Sequence, residues 1–263
     1  MIVAGCDIGS LSAKAVIMSN DDILASHVIF AKPEPEESAR EVMDAVLKKA
    51  GISADDIEYC VATGYGRNHV TFVDGSESEI ACHGKGAQWV MPDVRMVIDI
   101  GGQDAKAIRL DENGNVIRYA YNDKCATGTG RFLEIMAGAL DVELEEMGEI
   151  SLQAKNPVNI SNQCVVFAET EIISLINDGR DLSDIISGLH RSMAHRVASL
   201  AKGIELETNI TMTGGVAKNK GMFEALKDAL GVELRKMEAD PQVMGALGAA
   251  LFARQAANGN KKA

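Results

Sequence analysis

The most constraining feature of this chain is a strand that ends in Asp-Ile-Gly and occurs twice. The first copy runs from Val3 to Ser10, and the second runs from Val97 to Gly102. Each copy opens a run of three strand-like segments that is followed by helices. The repeat therefore predicts a duplicated α/β fold with two domains, 1–92 and 93–263. Each domain should contain a mixed sheet flanked by helices, with a cleft between the two.

Hydrophobic periodicity gives the order of the elements along the chain. Three strands are predicted to open each half, at 2–7, 13–18, 23–30 and then at 94–100, 104–110, 116–121. Further strands are predicted at 57–63, 210–213 and 232–235. Helices are predicted at 37–50, 79–90, 129–140, 145–154, 164–177, 182–206, 221–230 and 242–257. A disordered tail is expected from residue 258 onward.

Composition narrows the class of protein. The chain has 263 residues and a formal net charge of −12, which disfavours a nucleic acid as partner. No apolar run approaches the roughly 20 residues that cross a bilayer, and the first residues lack a basic region typical of signal peptides. We therefore expect a cytoplasmic protein. The five cysteines include no pair with CxxC spacing, which argues against a disulfide framework.

The turn after the first Asp-Ile-Gly strand has the composition of a phosphate-binding loop. Glycine lets backbone amides approach a phosphate, because a Cβ atom would block the way. Gly9 is followed by the hydroxyls of Ser10 and Ser12 and by Lys14, which supply further donors. At the tip of the strand, Asp7 is placed to hold a hydrated Mg²⁺ ion. The segment is therefore predicted to bind the phosphates of a nucleotide.

The second Asp-Ile-Gly strand leads into a matching turn. Gly101 and Gly102 are followed by Gln103 and Asp104, and Asp99 occupies the position that Asp7 has in the first copy. A single loop of this kind is often only a turn. Two such loops, separated by more than a third of the chain, predict that both act on one nucleotide.

A third glycine-rich element follows the buried strand 210–213. Gly214 and Gly215 would let an adenosine lie against the backbone, and Asn219 follows shortly after. In this order and spacing the three elements resemble the phosphate-1, phosphate-2 and adenosine motifs of the actin, chaperone and sugar-kinase superfamily. The resemblance covers essentially the whole chain. It implies a fold that closes on ATP and reopens on ADP.

A kinase of this superfamily needs a carboxylate close to the hydroxyl that accepts the phosphate. The strand end at 62–68, where such a base is expected, contains no acidic residue. Asp104 and Asp123 remain as alternatives. The pattern therefore favours an ATPase that uses water over a kinase.

Two cysteines, Cys125 and Cys164, precede predicted helices. A helix N-terminus presents unpaired N–H groups and a partial positive charge, which favour anionic ligands such as thiolates. A four-iron cluster needs four thiolates. A two-fold homodimer with the cluster on its axis would supply all four.

The other cysteines and the histidines have structural interpretations. Cys6 and Cys60 lie within predicted strands and are expected in the core. Cys82 lies next to His83, but no further ligand follows at metal-binding spacing. The long helix 182–206 is expected to place two histidines and two arginines on a solvated or interdomain face and not in a catalytic site: His190, Arg191, His195 and Arg196.

The segment from Asn122 to Leu133, Asn-Asp-Lys-Cys-Ala-Thr-Gly-Thr-Gly-Arg-Phe-Leu, carries a more specific resemblance. Together with Ala62–Asn68 and Val97–Asp104, it is similar to the ATP-dependent activator, or component A, of 2-hydroxyacyl-CoA dehydratases. The ATPase subunits of benzoyl-CoA reductase share much of the pattern. Length, motif order and both cysteine contexts match from end to end.

This resemblance implies an oxygen-sensitive homodimer of anaerobic metabolism with one [4Fe–4S] cluster, held by Cys125 and Cys164 of each protomer. A reduced ferredoxin or flavodoxin would supply an electron. ATP binding and hydrolysis would change the angle of two helices at the cluster. The electron would then pass to the partner dehydratase, which reduces a thioester carbonyl to a ketyl radical and eliminates water.

The resemblance also implies a set of site residues for ATP, ADP and Mg²⁺. Asp7 and Asp99 are expected to act through the metal. Apart from the resemblance, we expect Gln103 or Asp104 to orient the attacking water. Nucleotide and cofactor contacts are expected at Gly9, Ser10, Ser12, Lys14, Gly101, Gly102, Gly128, Thr129, Gly130, Gly214, Gly215 and Asn219.

Three alternatives share this fold. The first is the ATPase component of an aryl-CoA reductase. The second is a small-molecule kinase without iron, of a pantothenate- or sugar-kinase type. The third is an actin-like filament or a chaperone-type ATP switch, for which the chain is short and the two cysteines would have no role.

Overall fold

The computed structural model describes residues 1–161 and 164–260 of the chain. The strands are β1 (Ile2–Ile8), β2 (Ser12–Ser19), β3 (Asp22–Phe30), β4 (Tyr59–Thr63), β5 (Gly75–Ser76), β6 (Met96–Ile100), β7 (Ala105–Leu110), β8 (Val116–Asn122), β9 (Ile210–Thr213) and β10 (Leu234–Arg235). The α-helices are α1 (Pro35–Ala50), α2 (Glu79–Val90), α3 (Gly130–Leu140), α4 (Met147–Ser151), α5 (Val165–Asn177), α6 (Leu182–Gly203), α7 (Lys220–Leu230) and α8 (Met244–Asn260). Every predicted element has a counterpart, and the two-residue strand β5 is an addition.

The first compact unit contains Met1–Val94, Leu110–Ile117 and the chain from Met237 to the end of the described residues. Its sheet has the order β3-β2-β1-β4-β5, with β1 antiparallel to β2 and parallel to β4. Side chains alternate between the two faces of β1. One face packs against α1, and the other packs against α2 and α8.

The second compact unit contains Arg95–Arg109 and Arg118–Lys236. Its sheet has the order β8-β7-β6-β9-β10, with β6 antiparallel to β7 and parallel to β9. The core of this unit joins the central strand β6 to α3, α6 and α7. Both sheets thus have a three-strand meander followed by two further strands on the other side. The predicted duplicated fold of two mixed sheets is confirmed.

The compact units divide the chain differently from the predicted halves, 1–92 and 93–263, because α8 packs in the first unit. Glycines allow this close packing. A Cβ atom at Gly5 of β1 would overlap the carbonyl of Ala246, and one at Gly248 would overlap the carbonyl of Cys82 in α2. The last helix therefore returns to the sheet with which the chain began.

Several helix ends differ from the prediction by two or three residues, and two of them are informative. Helix α8 continues through residues 258–260, where disorder was expected, and residues 261–263 lie outside the described residues. Helix α4 ends at Ser151, whose hydroxyl donates to the carbonyl oxygen of Gly148 at 2.8 Å. Such a bond competes with continuation of the helix. Within the described part of the chain, none of the helices combines the length and apolar character needed to cross a membrane.

Candidate functional site

The first predicted phosphate loop is a tight hairpin turn between β1 and β2. The backbone N–H of Gly9 donates to the carbonyl oxygen of Ser12 at 3.1 Å. Asp7 is buried at the end of β1, directly opposite Lys14 of β2, and the Lys14 Nζ lies 3.2 Å from Asp7 Oδ2. Lys14 also donates to the carbonyl oxygen of Ser12 at 3.3 Å. The turn therefore brings Asp7, Gly9, Ser12 and Lys14 together.

The second unit repeats this turn with the same geometry. The backbone N–H of Gly101 donates to the carbonyl oxygen of Asp104 at 3.0 Å. Asp99 of β6 lies opposite Lys106 of β7, and the Lys106 Nζ lies 3.2 Å from Asp99 Oδ2. Lys106 corresponds to Lys14, since each lysine follows its aspartate by seven positions. Sequence reasoning missed Lys106, although this spacing was visible.

The duplication extends to a Thr-Gly pair beside each aspartate. In the parallel ladders, Asp7 pairs with Thr63 and Asp99 pairs with Thr213. The following glycines, Gly64 and Gly214, have φ values of +85° and +87°, which favour glycine. A Cβ atom at Gly214 would lie 2.8 Å from Asp99 Oδ1, and one at Gly64 would overlap the Asp7 carboxylate. Beside each aspartate, the backbone therefore has a positive φ and lies too close to the carboxylate for a Cβ atom, so glycine is required there.

Gln103 and Asp104 have different surroundings although they are neighbours. Asp104 Oδ1 accepts from the Lys106 Nζ at 2.7 Å, and Asp104 Oδ2 accepts from the Tyr121 hydroxyl at 3.0 Å. Both oxygens of Asp104 are therefore engaged. Gln103 is exposed. Of the two, Gln103 has the side chain better placed to meet a solvent molecule.

The turn at Gly101 and Gly102 is joined directly to the start of α3. The backbone N–H of Gly130 donates to the carbonyl oxygen of Gly101, and that of Arg131 donates to the carbonyl oxygen of Gly102, both at 2.8 Å. A Cβ atom at Gly130 would lie 3.1 Å from the Gly101 oxygen. The predicted phosphate loop and the segment that leads back to Cys125 are thus held together by backbone hydrogen bonds.

Asn219 in the predicted adenosine element is the N-terminal capping residue of helix α7 and joins a hydrogen-bond network with buried His190. Its Oδ1 accepts from the Met222 N–H at 2.9 Å, and its Nδ2 lies 3.3 Å from His190 Nε2. The His190 Nδ1 lies 3.1 Å from the Ser151 hydroxyl oxygen, and this hydroxyl donates onward to a carbonyl. The Asn219 Nδ2 group donates to His190 Nε2. The Ser151 hydroxyl gives its own hydrogen to a carbonyl oxygen and therefore accepts from His190 Nδ1. This arrangement fits a neutral His190 that carries its proton on Nδ1. His190 is buried within the second unit, which differs from the predicted solvated or interdomain face, while His195 is exposed.

Burial lowers the pKa of His190 to about 4, from an ordinary value of about 6.5. Between these values the unfolded chain binds a proton that the folded chain excludes, so the free energy of unfolding should rise with pH. The full rise attributable to His190 is about 3 kcal/mol. We expect His190→Gln to lose this part of the slope in urea unfolding followed from pH 4 to pH 6.5. Equal slopes for His190→Gln and the wild-type protein would contradict the assignment.

The five cysteines fall into two groups. Cys6, Cys60 and Cys82 are buried, whereas Cys125 is half-buried and Cys164 is exposed. A hydrogen bond with Cys60, together with burial, holds the pKa of the Cys6 thiol well above its ordinary value, and burial raises the pKa of Cys82. Thiols of this kind resist the deprotonation that metal ligation requires. The cysteines available as ligands are therefore the two that the sequence singled out.

The two accessible cysteines differ in their relation to helices. Cys164 directly precedes α5 as its N-terminal capping residue, as predicted. Cys125 does not directly precede α3, because residues 126–129 lie between them and Thr129 is the capping residue. Gly128 in this connection has a φ of +106°. The attraction of a helix N-terminus for an anion therefore applies to Cys164 alone.

Within residues 1–161 and 164–260, no group of three or more His, Cys, Asp or Glu side chains is arranged to hold a metal ion. Cys125 and Cys164 offer two thiols for each chain. The Cys125 carbonyl oxygen accepts from Asn122 Nδ2 at 3.0 Å, which fixes the backbone at this cysteine.

Comparison with known proteins agrees with the resemblance carried by these motifs. Residues 4–253 match the model of the BadF/BadG/BcrA/BcrD ATPase family. The chain is 43% identical over 263 residues to the 2-hydroxyisocaproyl-CoA dehydratase activator of Clostridioides difficile, covering 100% of this chain and 98% of the relative. It is 46% identical over 258 residues to the activator of lactoyl-CoA dehydratase of Anaerotignum propionicum, covering 98% and 99%. One of the subunits of benzoyl-CoA reductase from Thauera aromatica is 33% identical, covering 95% and 92%.

Solved structures agree with these sequence relationships. The activator of the 2-hydroxyisocaproyl-CoA dehydratase from Clostridium difficile, with bound ADPNP, superposes with a TM-score of 0.96. It is 42% identical, and the match covers 100% of this chain and 97% of the other. A glucokinase of the ROK family from Streptomyces griseus has a TM-score of 0.59 at 14% identity, covering 97% and 100%, which shows a shared fold alone. The predicted actin and sugar-kinase type of fold is confirmed, and the chain belongs to the BadF/BadG/BcrA/BcrD ATPase family.

Proposed function

We propose that this protein is the ATP-hydrolysing activator of a 2-hydroxyacyl-CoA dehydratase, to which it passes a low-potential electron. One observation carries the proposal: relatives named as dehydratase activators match this chain almost from end to end, and the chain presents two accessible cysteines while burying the other three. An ATPase that only hydrolyses nucleotide or phosphorylates a small molecule has no use for two accessible thiols.

Cys125 and Cys164 are the proposed ligands of a [4Fe–4S] cluster shared with a second copy of the chain. Two thiols fit half of the four that such a cluster needs, so a two-fold dimer completes the set. Helix α5, which begins after Cys164, leaves several apolar side chains exposed: Val166, Phe167, Ile173 and Ile176. Exposed apolar patches mark surfaces that another protein covers. When bound, the cluster would store one electron at low potential and release it to the partner.

ATP and Mg²⁺ are proposed to bind the two phosphate turns and the adenosine element. Asp7 and Asp99 are the carboxylates proposed to hold the hydrated metal ion, which needs few direct protein ligands. Gln103 is favoured over Asp104 for orienting the attacking water, because both oxygens of Asp104 already accept hydrogen bonds. The remaining nucleotide contacts are proposed at the glycines and hydroxyls of these loops and at Asn219.

The hydrogen bonds between the second phosphate turn and α3 suggest how nucleotide state reaches the cysteines. Gly101 and Gly102 accept from Gly130 and Arg131 at the start of α3. Loss of the γ-phosphate would alter the turn, and α3 would move with it because the two share these bonds. The loop that carries Cys125 enters α3 directly. The proposed coupling is therefore a displacement of α3 that changes the surroundings of Cys125.

The electron donor is proposed to be a reduced ferredoxin or flavodoxin, and the protein is proposed to work in the cytoplasm of an anaerobe. A role in an aryl-CoA reductase is the less favoured alternative, because identity to the benzoyl-CoA reductase relative is 33%, against 43% and 46% for the two dehydratase activators. The likeness to a glucokinase concerns the fold and favours no kinase activity.

Iron and acid-labile sulfide in anaerobically purified protein test this proposal, together with the mass of the particle in solution. The expected result is about two irons and two sulfides for each chain, which is one four-iron cluster for each pair of chains. The particle should have twice the mass of one chain. A colourless monomer that transfers phosphate from ATP to an added hydroxyl compound would contradict the proposal and favour a kinase.

A further inference from the structure

A groove of about 840 Å³ lies within the second compact unit, beside the loop that carries Cys125. One wall contains Asn122, Thr127 and Gly128, on either side of Cys125. Another wall is formed by residues 157–160. Helix α6 forms the floor. The groove thus borders the loop that carries Cys125 without containing this cysteine.

The walls of this groove are anchored to its floor. The backbone N–H groups of Lys155 and Asn156 both donate to Asp184 Oδ1 at 2.8 Å. A Cβ atom at Gly188 of α6 would lie 2.8 Å from Val158 Cγ2, so the wall packs directly on the helix. On the other side, a Cβ atom at Gly128 would lie 3.5 Å from Arg196 Cδ. The groove is therefore a defined surface and not a gap between loose loops.

The charge of the groove is opposite to that of the protein. The chain has 38 acidic residues against 26 lysines and arginines, yet none of the described residues that line the groove is acidic. Arg191, His195 and Arg196 line the groove from successive turns of α6. Arg191 and His195 are exposed, and Arg196 is half-buried. The positive charge comes from the two arginines, and such a surface attracts carboxylates and can steer a charged partner to one position.

We propose that this groove, lined by Arg191, His195 and Arg196, is the docking site for an acidic electron-donor protein. The inference rests on the proposed function, in which an electron must arrive at Cys125 and Cys164 from another protein. An acidic donor would be repelled by a chain with a net charge of −12, so it needs a local basic surface. The groove is such a surface, and it borders the loop that carries Cys125.

The test compares docking with reduction, using the anaerobically purified dimer and an acidic ferredoxin. Arg191→Gln with Arg196→Gln removes two charges from the groove. Because the Arg196 stem packs near Gly128, a second variant, Arg191→Glu with His195→Glu, alters only exposed side chains. Lys48→Gln with Lys227→Gln removes two exposed charges from α1 and α7 and serves as the matched control. Binding of oxidised ferredoxin is measured by calorimetry, and cluster reduction by the bleaching of its visible absorption.

Both groove variants should bind ferredoxin about tenfold more weakly and be reduced by it about tenfold more slowly at low ionic strength, with a flatter dependence on salt. In both groove variants, reduction by dithionite and basal ATPase activity should stay at wild-type values. In the control variant, ferredoxin binding and reduction by ferredoxin should also stay at wild-type values. Unchanged ferredoxin binding in both variants would overturn the inference. Groove variants that are monomers would also overturn the inference, because a second copy of the chain would then cover the groove. So would a rate of cluster reduction by dithionite that falls as much as the rate with ferredoxin.

Failure of the proposed function would look different. In that case the wild-type protein would contain no iron or would not be reduced by dithionite, while the calorimetric comparison would still report whether the groove binds an acidic protein.

Discussion

Replacing Cys125 and Cys164 together with alanine is expected to abolish bound iron and all activation of a dehydratase, while leaving a folded protein. Neither side chain belongs to the packed core, because Cys125 is half-buried and Cys164 is exposed. Substitutions at such positions usually change stability by less than about 0.5 kcal/mol. Iron content, dehydratase activation and thermal unfolding of the purified double variant check these outcomes.

The matched control for this variant is Cys60→Ala, which removes a thiol from the core of the first unit. It should lower the stability of the protein and keep the iron. Loss of iron from Cys60→Ala, or its retention in the double variant, would show that the accessible cysteines are not the ligands.

Lys106→Met is expected to destabilise the second unit more than any other single substitution in the phosphate turns. The lysine is buried and contacts two carboxylates, Asp99 and Asp104. Removing one partner of a buried ion pair leaves an uncompensated charge, at a cost of about 3–5 kcal/mol. Urea unfolding of the variant should therefore show a loss of that size.

Two comparisons separate the lost ion pair from lost packing. The double variant Lys106→Met with Asp99→Asn should recover about 0.5–3 kcal/mol relative to the sum of the two single effects. Lys14→Met, the counterpart in the first unit, should lower the free energy of unfolding by less. Lys14 is more exposed than Lys106, and among the described residues it forms an ion pair with one carboxylate, Asp7, instead of two. Additive effects of Asp99→Asn and Lys106→Met would contradict the buried pair.

The duplicated fold was predictable because its signal is local. Asp-Ile-Gly at the end of an apolar strand specifies a strand, a carboxylate at its tip and a turn without a Cβ atom, and it occurs twice. The same device recurs in the structure as Asp7 with Lys14 and Asp99 with Lys106. The lysines face their aspartates because an antiparallel hairpin of this length brings those positions opposite each other.

Features that depend on contacts between residues far apart in the sequence could not be predicted from local patterns. The burial of His190 depends on Ser151 and Asn219, which lie on other elements of the second unit. The return of α8 to the first unit depends on the absence of side chains at Gly5 and Gly248, whose importance appears only when the helix lies against them. The four residues between Cys125 and α3 reflect the capping residue Thr129, one of several possible helix starts in that segment.

The most direct test of the account is whether dehydratase activation requires ATP and reductant together. The protein is mixed anaerobically with purified dehydratases of 2-hydroxyisocaproyl-CoA and lactoyl-CoA, and dehydration is followed with ATP, with ADPNP, and with or without reduced ferredoxin. We expect dehydration only when hydrolysable ATP and reductant are both present, with at least one of the two partners. Dehydration that proceeds equally well without ATP, or ATP turnover that activates neither enzyme and phosphorylates an added hydroxyl compound, would contradict the account.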